Sequence, residues 1–112
     1  MGSADGRWIK ERERMLTLPI KKKWFDMIAD GTKLEEYREI KPYYTARFNK
    51  LWQGSLIGGD AKRQIILRNG YSADSPSLIA TVTIDTGPGR TEWGAEEGKE
   101  YYRLHIVKVA RL

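Results

Sequence analysis

The pattern of hydrophobic and polar positions along the chain predicts five strands and two helices. Apolar residues alternate with polar ones in the strand segments, and they recur three or four residues apart in the helical segments. The predicted order is strand 15–20, helix 21–30, strand 33–40, helix 41–52, and strands 63–69, 76–86 and 100–112. Loops, not helices, join the last three strands, which argues against a doubly wound parallel sheet. We therefore expect an α+β fold, a small, mostly antiparallel β-barrel with two flanking helices.

Two local features refine this prediction. Gly31 follows the first helix at the position of a C-terminal cap glycine. In the last strand, Leu104 and Ile106 share one face whereas Val107 and Val109 point to the opposite face. A twist, a β-bulge or burial on both faces accommodates this change of pattern.

Length and composition indicate one domain. The chain has 112 residues, and we assign 15–112 to a single domain. Residues 1–14 read as a poorly ordered leader or an appended extension, with Met15 as a candidate original start. No apolar run reaches the roughly 18 residues of a membrane-spanning helix, so we expect a cytoplasmic protein with no membrane partner.

The residue types also restrict the chemistry. The chain has no cysteine and one histidine, His105, which excludes disulfides and thiolate metal sites. The acidic residues show no recognisable metal-ligand spacing, so we predict no metal and no cofactor. His105 alternates with inward residues and is expected to be structural rather than catalytic. The net charge is +5, which permits binding to a polyanion without requiring it.

Three lysines open the first predicted helix: Lys21, Lys22 and Lys23. The positive end of a helix dipole disfavours cations. A bound anion such as phosphate would turn this arrangement into a site. Alternatively, the lysines extend into water.

The strand 33–40 carries opposed charges at an unusual density. Glu36 and Arg38 are two residues apart, so their side chains leave the same face. If that face is inward, the two are partly buried together, with Lys33 at the rim of the pocket. Burial of an ion pair rarely adds net stability. A pocket that orients a polar ligand supplies one reason to keep the pair, and a structural tie between strand and loops supplies another.

Gly31, Lys33, Glu36 and Arg38 spell G-x-K-x-x-E-x-R after an amphipathic helix. This pattern resembles the signature of the ASCH domain, a member of the PUA-like superfamily, and the resemblance covers residues 15–112. It implies a PUA-like β-barrel with the motif lining a cleft between barrel and helices. It also implies binding of RNA or a nucleotide. One branch of the family hydrolyses N-acetylcytidine, using a lysine at the position of Lys33 and a threonine at that of Glu36. That threonine is absent here.

Two main functions remain open. The first is an RNA- or nucleotide-binding domain, because aromatic residues interleave with basic ones and bases stack on such rings. Its expected nucleic-acid-binding residues are Lys21, Lys22, Lys23, Lys33, Arg38, Lys41, Tyr43, Arg47, Arg68 and Arg90. The second is a small enzyme, a ribonuclease or an amidohydrolase, with Lys33, Glu36 and Arg38 as catalytic residues. A protein-interaction domain whose charged strand only guards an edge is a third interpretation. The segment 86–94 reads as a lid or as an ordinary hairpin loop, and the oligomeric state stays open.

Overall fold

The computed structural model describes residues 15–53 and 60–112. The expected leader, residues 1–14, lies outside the described residues. The secondary-structure elements, in chain order, are β1 (Thr17–Pro19), α1 (Lys22–Ala29), β2 (Glu35–Glu39), α2 (Pro42–Trp52), β3 (Arg63–Arg68), β4 (Ser77–Pro88), a short 3-10 helix (Thr91–Trp93) and β5 (Glu100–Arg111).

The strands form one sheet in the order β1-β3-β4-β5-β2. Only the β1–β3 pair is parallel among these neighbours; the other three pairs are antiparallel. The sheet curls into a half-barrel, and its two edges are β1 and β2. The predicted α+β class, the mostly antiparallel sheet and the two helices are confirmed.

The change of pattern in the last strand corresponds to a β-bulge. The register passes from Thr81 opposite Lys108 to Val82 opposite Ile106, so Val107 has no partner in the ladder. Val107 is 52% exposed, whereas Leu104 is buried. Of the three explanations that the sequence left open, the extra residue on β5 is the one observed.

The core lies between the concave face of the sheet and the two helices. Helix α1 buries Phe25 and Ile28, and α2 buries Phe48 and Trp52. The sheet residues packed in the same cluster are Leu18, Ile65, Leu67, Leu78, Ala80, Val82, Ile84, Tyr102 and Leu104. Apolar residues three or four apart place one face of each helix on the core, as the periodicity predicts.

The end of α1 positions the start of β2. Gly31 has a φ of +85°, a left-handed conformation that glycine adopts without steric cost. Its N–H donates to the Ile28 carbonyl at 3.2 Å, and the Thr32 N–H donates to the Met27 carbonyl at 2.9 Å. These two bonds form a Schellman cap. The expected cap glycine is thus confirmed, and the chain turns directly into Lys33.

Candidate functional site

Lys33, Glu36 and Arg38 form a contiguous buried ion cluster at the start of β2. Lys33 Nζ lies 3.2 Å from Glu36 Oε1, and Arg38 Nη2 lies 2.7 Å from Glu36 Oε2. The exposed fractions of the three side chains are 0%, 8% and 10%, respectively. The face that carries Glu36 and Arg38 therefore points inward here, whereas Leu34 and Ile40, which flank them in sequence, are about half exposed.

Lys33 is enclosed by protein. Its ammonium donates to the carbonyl of Glu35 at 2.5 Å and to that of Trp93 at 2.9 Å, and it forms an ion pair with Glu36 at 3.2 Å. The ammonium group therefore has three oxygen neighbours, all of them from the protein. Burial lowers the pKa of Lys33, and the attraction of Glu36 opposes that shift.

This enclosure corrects the expectation that Lys33 lies at the rim of a pocket. Nζ sits 4.7 Å from the centroid of the Tyr37 ring and 5.4 Å from that of the Trp24 ring. The Trp93 carbonyl, which comes from the loop between β4 and β5, accepts one of its hydrogen bonds. Lys33 supports the cleft from beneath and does not line it.

Arg38 links the two edges of the half-barrel. Its Nη2 donates to the Pro19 carbonyl of β1 at 2.7 Å, and its Nη1 donates to the Tyr44 hydroxyl at 3.4 Å. Burial on its own would lower the pKa of Arg38, but Glu36 and Tyr44 together raise it. The Nε atom is buried without a hydrogen-bond partner. Because β1 and β2 are not paired with each other, this side chain bridges the open side of the sheet.

A cleft of about 410 Å³ opens over Glu36 and Arg38. Its walls come from the start of α1, the end of β2, the start of α2 and the loop before β5. The lining residues are Pro19, Ile20, Lys21, Trp24, Glu36, Tyr37, Arg38, Glu39, Lys41, Tyr44, Gly94, Glu96, Lys99 and Tyr101. The cleft thus combines a carboxylate–guanidinium floor with aromatic rings and lysines around it.

The loop between β4 and β5 is held in place as a wall of this cleft. The Arg90 N–H donates to the Tyr37 hydroxyl at 2.9 Å, and the Glu96 N–H donates to the Tyr101 hydroxyl at 3.0 Å. Lys33 binds the same loop through Trp93. Burial raises the pKa of the Tyr37 phenol to about 12. These bonds, spread along the loop, favour the interpretation as a fixed hairpin loop over that as a lid.

The three consecutive lysines of the first helix have different surroundings. Lys21 precedes α1 and lines the cleft. Lys22 pairs with Asp26 at 2.6 Å on the exposed side of the helix. Lys23 lies 4.7 Å from the centroid of the Trp24 ring. Of the three, only Lys21 belongs to the cleft lining.

The other expected nucleic-acid-binding residues divide into two groups. Lys41 lines the cleft, and Tyr43 and Arg47 lie on α2 beside it, with the Arg47 guanidinium carbon 3.5 Å from the Tyr43 ring centroid. Arg68 and Arg90 do not line it. Arg68 donates to the Ser77 hydroxyl at 3.1 Å, and Arg90 lies over the ring of Trp93, outside the cleft.

Sequence reasoning missed several cleft residues. Trp24 is not among the residues predicted for the site, yet it lines the cleft and its ring centroid lies 5.4 Å from Lys33 Nζ. Lys99 and Tyr101 carry no local signal, because they meet Glu39 only through the pairing of β5 with β2. Lys99 Nζ lies 3.7 Å from Glu39 Oε2.

A second polar cluster occupies the outer face of the sheet. The Asp85 carboxylate accepts two bonds of 2.8 Å from Arg103, and His105 Nε2 lies 2.8 Å from Asp85 Oδ1. His105 Nδ1 lies 3.9 Å from Glu35 Oε2. Burial alone would raise the pKa of Asp85, but the bonds from Arg103 and His105 outweigh it and hold that pKa below its usual value. His105 thus ties β5 to β4 and lies beside Glu35 of β2, away from the cleft lining.

The described residues contain no group of three or more histidine and acidic side chains placed to hold a metal ion. Over the same ranges, no helix has the length and apolar character needed to cross a membrane. Comparison with models of known protein families, with curated proteins and with solved structures gives no match to this chain.

Proposed function

We propose that the protein binds single-stranded RNA or a nucleotide in the cleft above Glu36 and Arg38. The observation that carries this proposal is the composition of the cleft. A buried carboxylate and a buried guanidinium lie side by side on its floor, and aromatic rings and lysines form its walls. The further proposal that the half-barrel is PUA-like and related to ASCH domains is supported by the order of strand, helix and motif strand.

The floor offers hydrogen bonds of both kinds. A carboxylate accepts from the N–H groups of a base, and a guanidinium donates to ring nitrogens and carbonyl oxygens. Removing such a pair from water is costly and rarely adds net stability. Placement at the floor of a cleft gives the pair a use in orienting a polar ligand.

The walls suit the rest of a nucleotide. Trp24 and Tyr44 supply rings on which a base can stack. Lys21 and Lys41 supply charge for phosphate, whereas Lys99 is paired with Glu39 at 3.7 Å. Helix α1 has no acidic residue in its first turn and no side-chain cap at Lys21, so its N-terminal N–H groups add to the positive potential there.

Binding is favoured over catalysis because of the state of Lys33. A lysine that acts as base or nucleophile must reach the substrate with a free amine. Here Nζ donates to two carbonyls, pairs with Glu36 and is absent from the cleft lining. A binding role for the cluster needs only that Lys33 hold Glu36 and the loop in place. An RNA ligand also agrees with the cytoplasmic location that the sequence suggested.

The test is a fluorescence-anisotropy titration with a labelled single-stranded RNA between about 50 and about 200 mM salt. We expect affinity to fall with salt, and Lys41→Ala to weaken binding and reduce the salt slope by about 1. Lys108→Ala is the matched control, because it removes the same charge from an exposed site on β5, roughly 20 Å along the strand from Tyr101. Absence of affinity at low salt refutes the proposal.

A separate assay addresses the enzyme alternative. Short RNAs and modified nucleosides are incubated with the wild type and with Lys33→Met, and products are separated by chromatography. We expect no turnover by either protein. The enzyme alternative would be supported if the wild type turned over a substrate and Lys33→Met did not, while the variant still bound RNA. The proposal of binding alone would then be wrong.

A further inference from the structure

We propose that the cleft is one of two adjoining subsites for single-stranded RNA, and that the second stacks the neighbouring base on Tyr43. The second subsite is a groove of about 500 Å³, here named the tyrosine groove, lined by Leu18, Pro19, Lys41, Pro42, Tyr43 and Tyr44. This inference rests on the proposed function, since it extends the same ligand by one nucleotide.

The two cavities form one continuous surface. Pro19, Lys41 and Tyr44 belong to the lining of both. Tyr44 stands between them, and its hydroxyl accepts the 3.4 Å bond from Arg38 of the cleft floor. A chain that leaves the cleft past Tyr44 and Lys41 therefore enters the tyrosine groove directly.

The side chain of Tyr43 is preorganised for stacking. Tyr43 is 54% exposed, so its side chain is accessible to a ligand. The Arg47 guanidinium lies over the ring and is held there by a 2.9 Å bond from Nη1 to the Tyr43 carbonyl. The Tyr44 ring lies nearly perpendicular to that of Tyr43, with centroids 5.0 Å apart. Because the ring is already restrained, stacking a base on it costs little conformational entropy.

Lys41 is placed where a connecting phosphate would pass. It is an exposed residue common to both cavities, and its ammonium lies 5.5 Å from the centroid of the Tyr44 ring. Two stacked nucleosides are joined by one phosphate, so a single shared cation between two base sites matches a dinucleotide unit. Because Lys41 complements a phosphate and the groove is continuous with the cleft, we infer that a nucleotide occupies the groove.

The two subsites differ in their capacity to discriminate bases. The cleft floor presents a carboxylate and a guanidinium, whereas the tyrosine groove presents rings, prolines, a leucine and one lysine. Stacking on a ring tolerates any base, because every base has a π-face. We therefore expect sequence preference at the nucleotide in the cleft and little preference at its neighbour.

The experiment compares mononucleotides with dinucleotides by isothermal titration. We expect a dinucleotide to bind roughly five-fold to a hundred-fold more tightly than the mononucleotide, the range that one aromatic stacking contact gives. Tyr43→Ala should abolish this gain and leave mononucleotide affinity unchanged, and Tyr43→Trp should retain it. Tyr71→Ala is the matched control, since it removes a tyrosine that is 93% exposed in the β3–β4 loop.

The outcomes separate this inference from the proposal beneath it. Equal affinity for both ligands, or an equal loss for both on Tyr43→Ala in a variant whose melting temperature is unchanged, overturns the second subsite and leaves the cleft in place. Failure of both ligands and of longer RNA to bind refutes the proposed function itself. Strong base preference at both positions also contradicts the stacking groove.

Discussion

Glu36→Gln removes the negative charge that Lys33 and Arg38 share while it preserves the size of the side chain. In the wild type both cations lie within 3.2 Å of the Glu36 carboxylate. In the variant, an amide faces two buried positive groups. The substitution therefore tests the contribution of the charge separately from that of side-chain packing.

The expected magnitude follows from burial. The three side chains are at most 10% exposed, so solvent compensates little for the lost charge. Breaking a buried ion pair by removal of one partner costs about 3–5 kcal/mol. For a domain of this size that loss corresponds to a fall in melting temperature of roughly 10–20 °C. The Lys33 contacts with the Glu35 and Trp93 carbonyls persist and keep the loss from exceeding this range.

The variant should also acquire a distinct pH dependence. Burial already lowers the pKa of Lys33, and the opposing attraction of Glu36 disappears in the variant. The pKa of Lys33 then falls further, so the unfolded state binds more protons than the folded state up to the ordinary value of 10.5. The free energy of unfolding of Glu36→Gln should consequently rise with pH across that window, more steeply than that of the wild type.

The assay is urea denaturation followed by tryptophan fluorescence, repeated from neutral to alkaline pH. The matched control is Asp26→Asn, which breaks the Lys22–Asp26 pair on the surface of α1, where the side chains are 77% and 50% exposed. That control should lose no more than about 0.5 kcal/mol. A loss for Glu36→Gln as small as that of the control, with no steeper pH dependence, would refute the view that the cluster is a desolvated unit.

Two further predictions concern the loop and the outer face. Gly89→Ala would place a Cβ 2.8 Å from Cζ of the Tyr37 ring. We expect the free energy of unfolding, measured by thermal denaturation, to fall by about 1–3 kcal/mol. An unchanged melting temperature would contradict the packing of the loop. In Asp85→Asn, the free energy of unfolding should fall less steeply with decreasing pH than in the wild type. The pKa of Asp85 is held below 3.8 against burial by Arg103 and His105, so its contribution is present above that value and disappears as the pH falls through the folded-state pKa. Urea midpoints measured across the acidic range test this, and a slope equal to that of the wild type would count against it.

Strand β2 shows how much of the site the sequence predicts. Alternation placed Glu36 and Arg38 on one face, and the structure confirms that both are buried together. Alternation continued in both directions would put Leu34 and Ile40 on the same face, yet these two are about half exposed. Leu34 and Ile40 lie just outside β2, which spans Glu35–Glu39, so the alternation of the strand does not extend to them.

The sequence by itself determined the features that depend on near neighbours. The glycine at position 31 had to cap α1, because only a residue tolerant of positive φ completes that turn. The number and order of strands and helices followed from hydrophobic period, and the mismatch around Val107 required an irregularity in β5. Each of these rests on backbone geometry and on residues within a few positions of one another.

Only the tertiary structure decided the site. Lys33 became a buried support because Trp93, sixty positions later, supplies its acceptor. Arg38 came to bridge the half-barrel because the curl of the sheet brings Pro19 beside it. Lys99 and Tyr101 joined the cleft through the register of β5 on β2. Contacts between segments so distant in the chain depend on sheet curvature and strand register, and no local pattern of residues specifies either one.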